Sequence, residues 1–150
     1  MSEDSPSDTS DIASLFPCSI DTPEQMVELG ETLAKFLHLG DVVALIGNLG
    51  AGKTHLTQGI AKFFQYEEKV TSPTFGLIHE YRPSPLIHAD LYRLEHPNEL
   101  LQIGWEDFLE QDIILIVEWA DRFPELFPEQ THWIKITQDG STRKLEYHCG

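Results

Sequence analysis

Gly47-Asn48-Leu49-Gly50-Ala51-Gly52-Lys53-Thr54 lies between the apolar run Val42-Val43-Ala44-Leu45-Ile46 and a helical pattern of Leu56, Ile60, Phe63 and Phe64. Strand, G-x-x-x-x-G-K-T, helix is the arrangement of a phosphate-binding P-loop. The glycines let the main chain turn tightly and aim its N–H groups into a concavity that holds anions. The helix behind it adds free N–H groups and the positive end of its dipole. In this reading Asn48, Leu49, Gly50, Ala51, Gly52, Lys53 and Thr54 all bind the nucleotide. Lys53 reaches the β- and γ-phosphates, and the Thr54 hydroxyl sits on Mg²⁺. A glycine-rich turn that ends by chance in Lys-Thr is the alternative, and the flanking strand and helix argue against it.

Working outward toward the N-terminus, Thr22-Pro23-Glu24-Gln25 is a capping box with proline at the first helical position. Met26, Leu29, Leu33, Phe36 and Leu37 follow at helical spacing, and Gly40 supplies a stop. Phe16 to Ile20 reads as a short edge strand. Residues 1–11 are small, polar and acidic, and are expected to form a disordered leader ahead of a single domain at 12–150. They have neither the basic start nor the apolar stretch of a signal peptide.

Toward the C-terminus, Glu67 to Lys69 mark a polar turn, and residues 70–75, Val-Thr-Ser-Pro-Thr-Phe, read as an extended loop. Leu77–Tyr81 and Leu86–Ala89 are expected to pair as a hairpin through Arg82-Pro83-Ser84-Pro85. Pro97 opens a short helix that Gly104 stops, and Trp105–Glu110 makes another helical turn. Ile113-Ile114-Leu115-Ile116-Val117 is apolar throughout, as a strand buried on both faces requires. Trp133–Thr137 and Lys144–His148 form a closing hairpin about an Asp139-Gly140 turn. The expected fold is α/β: a three-layer P-loop NTPase domain with a mixed, mainly parallel central sheet and C-terminal antiparallel strands.

The 150 residues leave room for one core but not two. The apolar runs at 42–46 and 113–117 are far too short to span a bilayer. The cysteines, Cys18 and Cys149, offer no disulfide framework and no metal-ligand spacing, so a cytoplasmic protein with free thiols is the simplest reading. With 25 acidic and 10 basic residues the formal net charge is −15, which repels nucleic-acid backbones. Independent nucleic-acid binding is therefore not expected. The nucleotide must be held by local donors and a metal ion, and the acidic surface suits either solubility or docking onto a basic partner.

Metal–nucleotide chemistry calls for an acid where a buried strand emerges beside the P-loop strand. Glu118 follows the 113–117 run and meets that description; the alternative is an ordinary charged strand end. Asp90 closes the strand in His88-Ala89-Asp90-Leu91-Tyr92-Arg93 and could orient an attacking water, with Arg93 as a nearby cation. His88 and Asp90 alone make no metal site, and a packed histidine is the plainer reading of His88. Thr71, Ser72 and Thr74 lie where a switch-like γ-phosphate sensor would sit, or simply form a turn. Trp119 is either core or a contact anchor beside the metal acid.

Together, G-N-L-G-A-G-K-T, T-S-P-T-F, H-A-D-L-Y-R and V-E-W closely resemble the TsaE (YjeE) family, in order from about Thr22 to the end of the 113–119 segment. The resemblance implies a weak ATPase required for threonylcarbamoyladenosine modification of tRNA. It would depend on a TsaD–TsaB heterodimer, whose TsaD performs the transfer and which ATP hydrolysis resets between turnovers. Carried over by position, Lys53 and its loop hold ATP phosphates, and Thr54 and Glu118 are the Mg²⁺ residues. Asp90 and Glu118 are catalytic, and Ser72 and Thr74 belong to the switch-like loop. Trp119 serves activity or partner contact, and Thr22 touches the nucleotide. The chain departs from the family pattern in its acidic leader and in Ala120-Asp121, which follow Trp119 where proline is common.

Two other classes of function compete. A small-molecule kinase would need an acceptor pocket and several phosphate-clamping arginines, whereas only Arg82, Arg93, Arg122 and Arg143 exist and none forms a rich lid. A non-catalytic nucleotide-sensing adaptor would dock on binding alone. No Asn-Lys-x-Asp guanine-reading motif is present, which argues against a GTPase.

Overall fold

The computed structural model describes residues 9–47, 52–66, 78–81, 83–102 and 104–149. The turn expected at 67–69 and the loop at 70–75 lie outside them. In chain order the elements are α1 (Thr9–Ala13), β1 (Cys18–Ile20), α2 (Pro23–Ala34), β2 (Val42–Ile46), α3 (Lys53–Phe63), β3 (Ile78–Glu80) and β4 (Leu86–Asp90). They continue with α4 (Pro97–Gln102), α5 (Trp105–Leu109), β5 (Ile114–Glu118), β6 (His132–Asp139) and β7 (Thr142–Cys149). Single 3₁₀ turns at Ala120–Arg122 and Pro124–Leu126 follow β5.

Among the described residues seven strands make one sheet in the order β1-β7-β6-β2-β5-β4-β3. The four central strands, β6, β2, β5 and β4, run parallel. Antiparallel pairs finish both edges: β3 on β4, and β7 on β6 with β1 outside it. The apolar runs of β2 and β5 alternate between two cores. Val43, Leu45, Ile114 and Ile116 pack with Met26, Leu33, Leu56 and Ile60 of α2 and α3. Val42, Ala44, Leu115 and Val117 pack on the opposite face with Leu100, Trp105 and Phe123. Burial on both faces is why these strands carry no polar alternation. The result is the expected three layers.

Thr22 caps α2 as read, its Oγ1 accepting from the Gln25 N–H at 3.1 Å, while Gln25 Oε1 reaches one residue past the cap and accepts from the Asp21 N–H at 2.8 Å. Helix α2 then packs on α3 backbone to backbone at Gly30 and Gly59. A Cβ at Gly59 would lie 2.0 Å from the Val27 carbonyl oxygen, and one at Gly30 would lie 2.3 Å from that of Leu56. Only glycine fits either position, although each lowers helix propensity. This contact fixes where α3, and with it Lys53, begins.

Several boundaries differ from those read in the sequence, most by one or two residues. Helix α1 starts at Thr9, inside the stretch 1–11 expected to be disordered, because Ile12 is fully buried against the first core. Helix α2 ends at Ala34, but i→i−3 bonds from Lys35, Phe36 and Leu37 continue the turn and keep Leu37 in the core. The last hairpin is longer than expected, pairing His132 with Cys149 through to Asp139 with Thr142. Its loop is accordingly Gly140-Ser141 rather than Asp139-Gly140, with Gly140 at φ +66°.

Candidate functional site

Because β2, β4 and β5 are parallel, the residues at their carboxyl ends meet at one edge of the sheet, where ligands of open α/β folds bind. Helix α3 opens at that edge. Its N-cap, Gly52, is left-handed at φ +106°, and a Cβ there would stand 2.8 Å from Met26 Cε. Lys53, the first helical residue, is only 5% exposed. Its Nζ donates to the Gly47 carbonyl at 2.7 Å and lies 3.8 Å from Glu118 Oε1. Burial lowers the affinity of this amine for its proton, while Glu118, Asp90 and Asp121 oppose that shift. A lysine desolvated among carboxylates is arranged to meet an anion without first shedding a full water shell.

Glu118 ends β5 and is 3% exposed. Its Oε2 accepts from His88 Nε2 at 2.6 Å, so Oε1 is the oxygen that faces Lys53. In the parallel register Asp90 lies opposite Glu118. Asp90 Oδ1 accepts the Tyr92 N–H at 2.9 Å, which fixes the turn after β4. Burial raises the Asp90 carboxyl above its ordinary range, with the Tyr92 N–H opposing.

Trp119 follows with φ +61°, a left-handed conformation that a bulky residue rarely adopts and that tends to mark functional positions. The sequence left it as core or contact anchor; it is half-buried at the margin of the second core. Its ring packs against the second core and Tyr92, at 5.0 Å between centroids, and covers Lys53, whose Nζ is 4.2 Å from the ring centre. Ala120 is fully buried and starts the first 3₁₀ turn.

A cavity of about 480 Å³ opens beside the start of α3 and is lined by Thr22, Met26, Gly52, Lys53, Thr54 and Arg143. Thr22 therefore both caps α2 and borders the pocket. The structure thus gathers Thr22, Lys53, Thr54, Asp90, Glu118 and Trp119 around one helix start. Asn48, Leu49, Gly50 and Ala51 of the loop, and Ser72 and Thr74, lie outside the described residues. Arg93 is exposed, and the arginine that engages the β4 turn is Arg122, whose guanidinium donates to the Leu91 and Tyr92 carbonyls.

Sequence reasoning placed His88 in the core, and it is fully buried, but its bond to Glu118 was not foreseen. The available signal was the His88-x-Asp90 spacing, which puts both side chains on one face of a strand ending at the site. The donor set suits Mg²⁺. The Thr54 hydroxyl and the carboxylates of Glu118 and Asp90 are hard oxygen donors. No group of three or more His, Cys, Asp or Glu among the described residues could hold a metal. A magnesium ion that also takes phosphate oxygens and waters needs only one or two protein oxygens.

A parallel sheet that delivers a buried acid beside a G-K-T helix start defines a P-loop NTPase fold. The crystal structure of YdiB from Bacillus subtilis superposes with a TM-score of 0.74 at 29% identity, covering 90% of this chain and 86% of that one. Residues 20–145 match the family model described as threonylcarbamoyl adenosine biosynthesis protein TsaE. The tRNA threonylcarbamoyladenosine biosynthesis protein TsaE of Nostoc is 45% identical over 67% of this chain and 65% of its own length. The Bacillus subtilis protein of that name is 36% identical over 81% and 77%, and the Streptomyces coelicolor one 43% identical over 74% and 78%. The chain belongs to the TsaE family, whose members are named for the biosynthesis of threonylcarbamoyladenosine in tRNA. Among the described residues no helix is long and apolar enough to cross a membrane.

Proposed function

We propose that this chain is the ATP-binding, weakly ATP-hydrolysing subunit of tRNA threonylcarbamoyladenosine synthesis, working in the cytoplasm through a TsaD–TsaB heterodimer. The observation that carries this reading is the meeting of Lys53 with the buried carboxylate of Glu118 at the start of α3. Lys53 neutralises charge on the β- and γ-phosphates, and the N–H groups at the α3 start bind phosphate oxygens. Thr54 and Glu118 hold Mg²⁺, which when bound screens the charge that develops on the transferring phosphoryl group. Asp90 orients the attacking water and accepts its proton, a role that suits a carboxyl held above its ordinary range. Trp119 covers Lys53 on one side and presents its remaining surface to the partner.

The test is ATP hydrolysis by the protein alone and then with purified TsaD–TsaB added. Slow turnover that the heterodimer stimulates is expected; no turnover in either condition contradicts the ATPase reading. A Glu118→Gln variant that abolishes hydrolysis yet leaves tRNA modification intact would favour the adaptor instead.

Two variants refine the roles. Asp90→Ala should bind ATP near normally yet turn over about a hundredfold more slowly, the lower end of what a positioned acid–base group contributes. Turnover equal to wild type removes Asp90 from the mechanism. Trp119→Ala should keep its basal rate within a few-fold but lose roughly tenfold or more of the stimulation, as loss of an aromatic anchor does. Full stimulation by the heterodimer refutes that contact.

A further inference from the structure

Behind Glu118 runs a buried polar chain that the proposed chemistry does not use. His88 Nε2 bonds Glu118 Oε2 at 2.6 Å, and His88 Nδ1 bonds the Tyr81 hydroxyl at 3.0 Å. Both His88 and Tyr81 are fully buried. An ionised carboxylate only accepts, so Nε2 carries the hydrogen toward Glu118, and the Tyr81 O–H donates to Nδ1. Tyr81 is itself clamped, stacked on Tyr66 at 4.9 Å and edge-on to His79 at 4.6 Å between centroids. Its main-chain N–H is tied to the Leu86 carbonyl at 3.0 Å. The array runs Tyr81–His88–Glu118 across β4 and β5 and stops at the oxygen facing Lys53.

Such a chain is costly to bury, and apolar residues of similar volume would stabilise the sheet at least as well. Its value lies in orientation. A glutamate has three rotatable bonds, and one oxygen held by a fixed imidazole leaves the other with a single direction.

Building on the reading of Glu118 as the metal-linked acid, we propose that His88, locked by Tyr81, is the positioning residue that aims Glu118 at the nucleotide's metal ion. It touches neither nucleotide nor metal, so its removal affects the metal-dependent part of binding and spares the rest.

The test compares calorimetric titrations of ATP with Mg²⁺ and with EDTA for wild type, His88→Leu, His88→Gln and Tyr81→Phe, each checked by thermal melting. His88→Leu should lose about tenfold of the affinity that Mg²⁺ adds, the scale expected of a partner behind a metal ligand, and keep its affinity in EDTA. Tyr81→Phe, which deletes one hydroxyl, should shift the same ratio by a smaller factor in the same direction. His88→Gln, whose amide can donate to Glu118, should restore most of it. An unchanged ratio in folded His88→Leu, or an equal loss in both titrations, overturns the proposal. If His88→Leu does not fold, an unchanged ratio in Tyr81→Phe overturns it. No ATP binding by wild type rejects the nucleotide reading, ATP binding that Mg²⁺ does not strengthen rejects the metal-linked reading of Glu118, and the relay falls with either; normal wild-type behaviour with unaffected variants rejects the relay alone.

Discussion

Replacing Lys53 with alanine is expected to lower kcat/KM for ATP roughly a thousandfold, the upper range for removing one preorganised electrostatic group from a transition state. The expectation rests on placement: among the described residues Arg143 also lines the cavity, but it is the Lys53 ammonium that lies 3.8 Å from Glu118. Of the four arginines in the sequence, Arg122 is committed to the Leu91 and Tyr92 carbonyls, and Arg93 is exposed. Glu118, Asp90 and Asp121 all act on Lys53 electrostatically, so the ammonium also offsets the acids that would otherwise repel a triphosphate. Binding should weaken as well, since a hydrogen bond to a charged group contributes about 1.5–3 kcal/mol, roughly ten- to a hundredfold in Kd. Lys53→Met, which keeps much of the side-chain bulk over Trp119, separates loss of charge from loss of packing. Steady-state kinetics and a thermal melt on both variants decide the matter; a kcat/KM within a few-fold of wild type would take the lysine out of the site.

Gly59→Ala should have the largest effect on stability, with the opposite sign to that of an ordinary helix. On an open helical surface the change stabilises by about 0.8–1 kcal/mol. Here the new Cβ would stand 2.0 Å from the Val27 carbonyl oxygen and 2.9 Å from Gly30 Cα, both main-chain atoms with no rotamer to yield. The two helices must separate, and overpacking of this kind costs about 1–3 kcal/mol, or roughly 5–10 °C in Tm at the upper end for a domain this size. Nucleotide affinity should fall with it, because α2 brings Thr22 to the pocket and α3 brings Lys53. A melting temperature equal to or above wild type would show that the helix pair separates without cost.

Much of this architecture was legible because local patterns and burial agree. The unbroken apolar runs of β2 and β5 announced strands covered on both faces, and the Thr22–Gln25 box announced the start of α2. Glu118 could be read as an acid emerging from such a strand, and the register with Asp90 carried both carboxylates to one edge. What stayed hidden depends on contacts between distant segments. His88 and Glu118 are 30 residues apart, and only strand adjacency brings them within 2.6 Å. Gly30 and Gly59 each look like a weak spot in a helix until the two helices are seen touching. Helix α1 was missed because one buried residue, Ile12, sets no periodicity. The left-handed backbone of Trp119 has no sequence signal, since the side chain disfavours it and its surroundings impose it.

The central claim is that the start of α3 and the carboxylate of Glu118 together grip a magnesium nucleotide. Amide chemical-shift mapping by NMR on titration with MgATP tests it most directly in a chain of 150 residues. The largest shifts are expected at Gly52, Lys53 and Thr54, with a second group at Glu118 and Trp119. Shifts confined to another face of the sheet, or none at millimolar nucleotide, would contradict it.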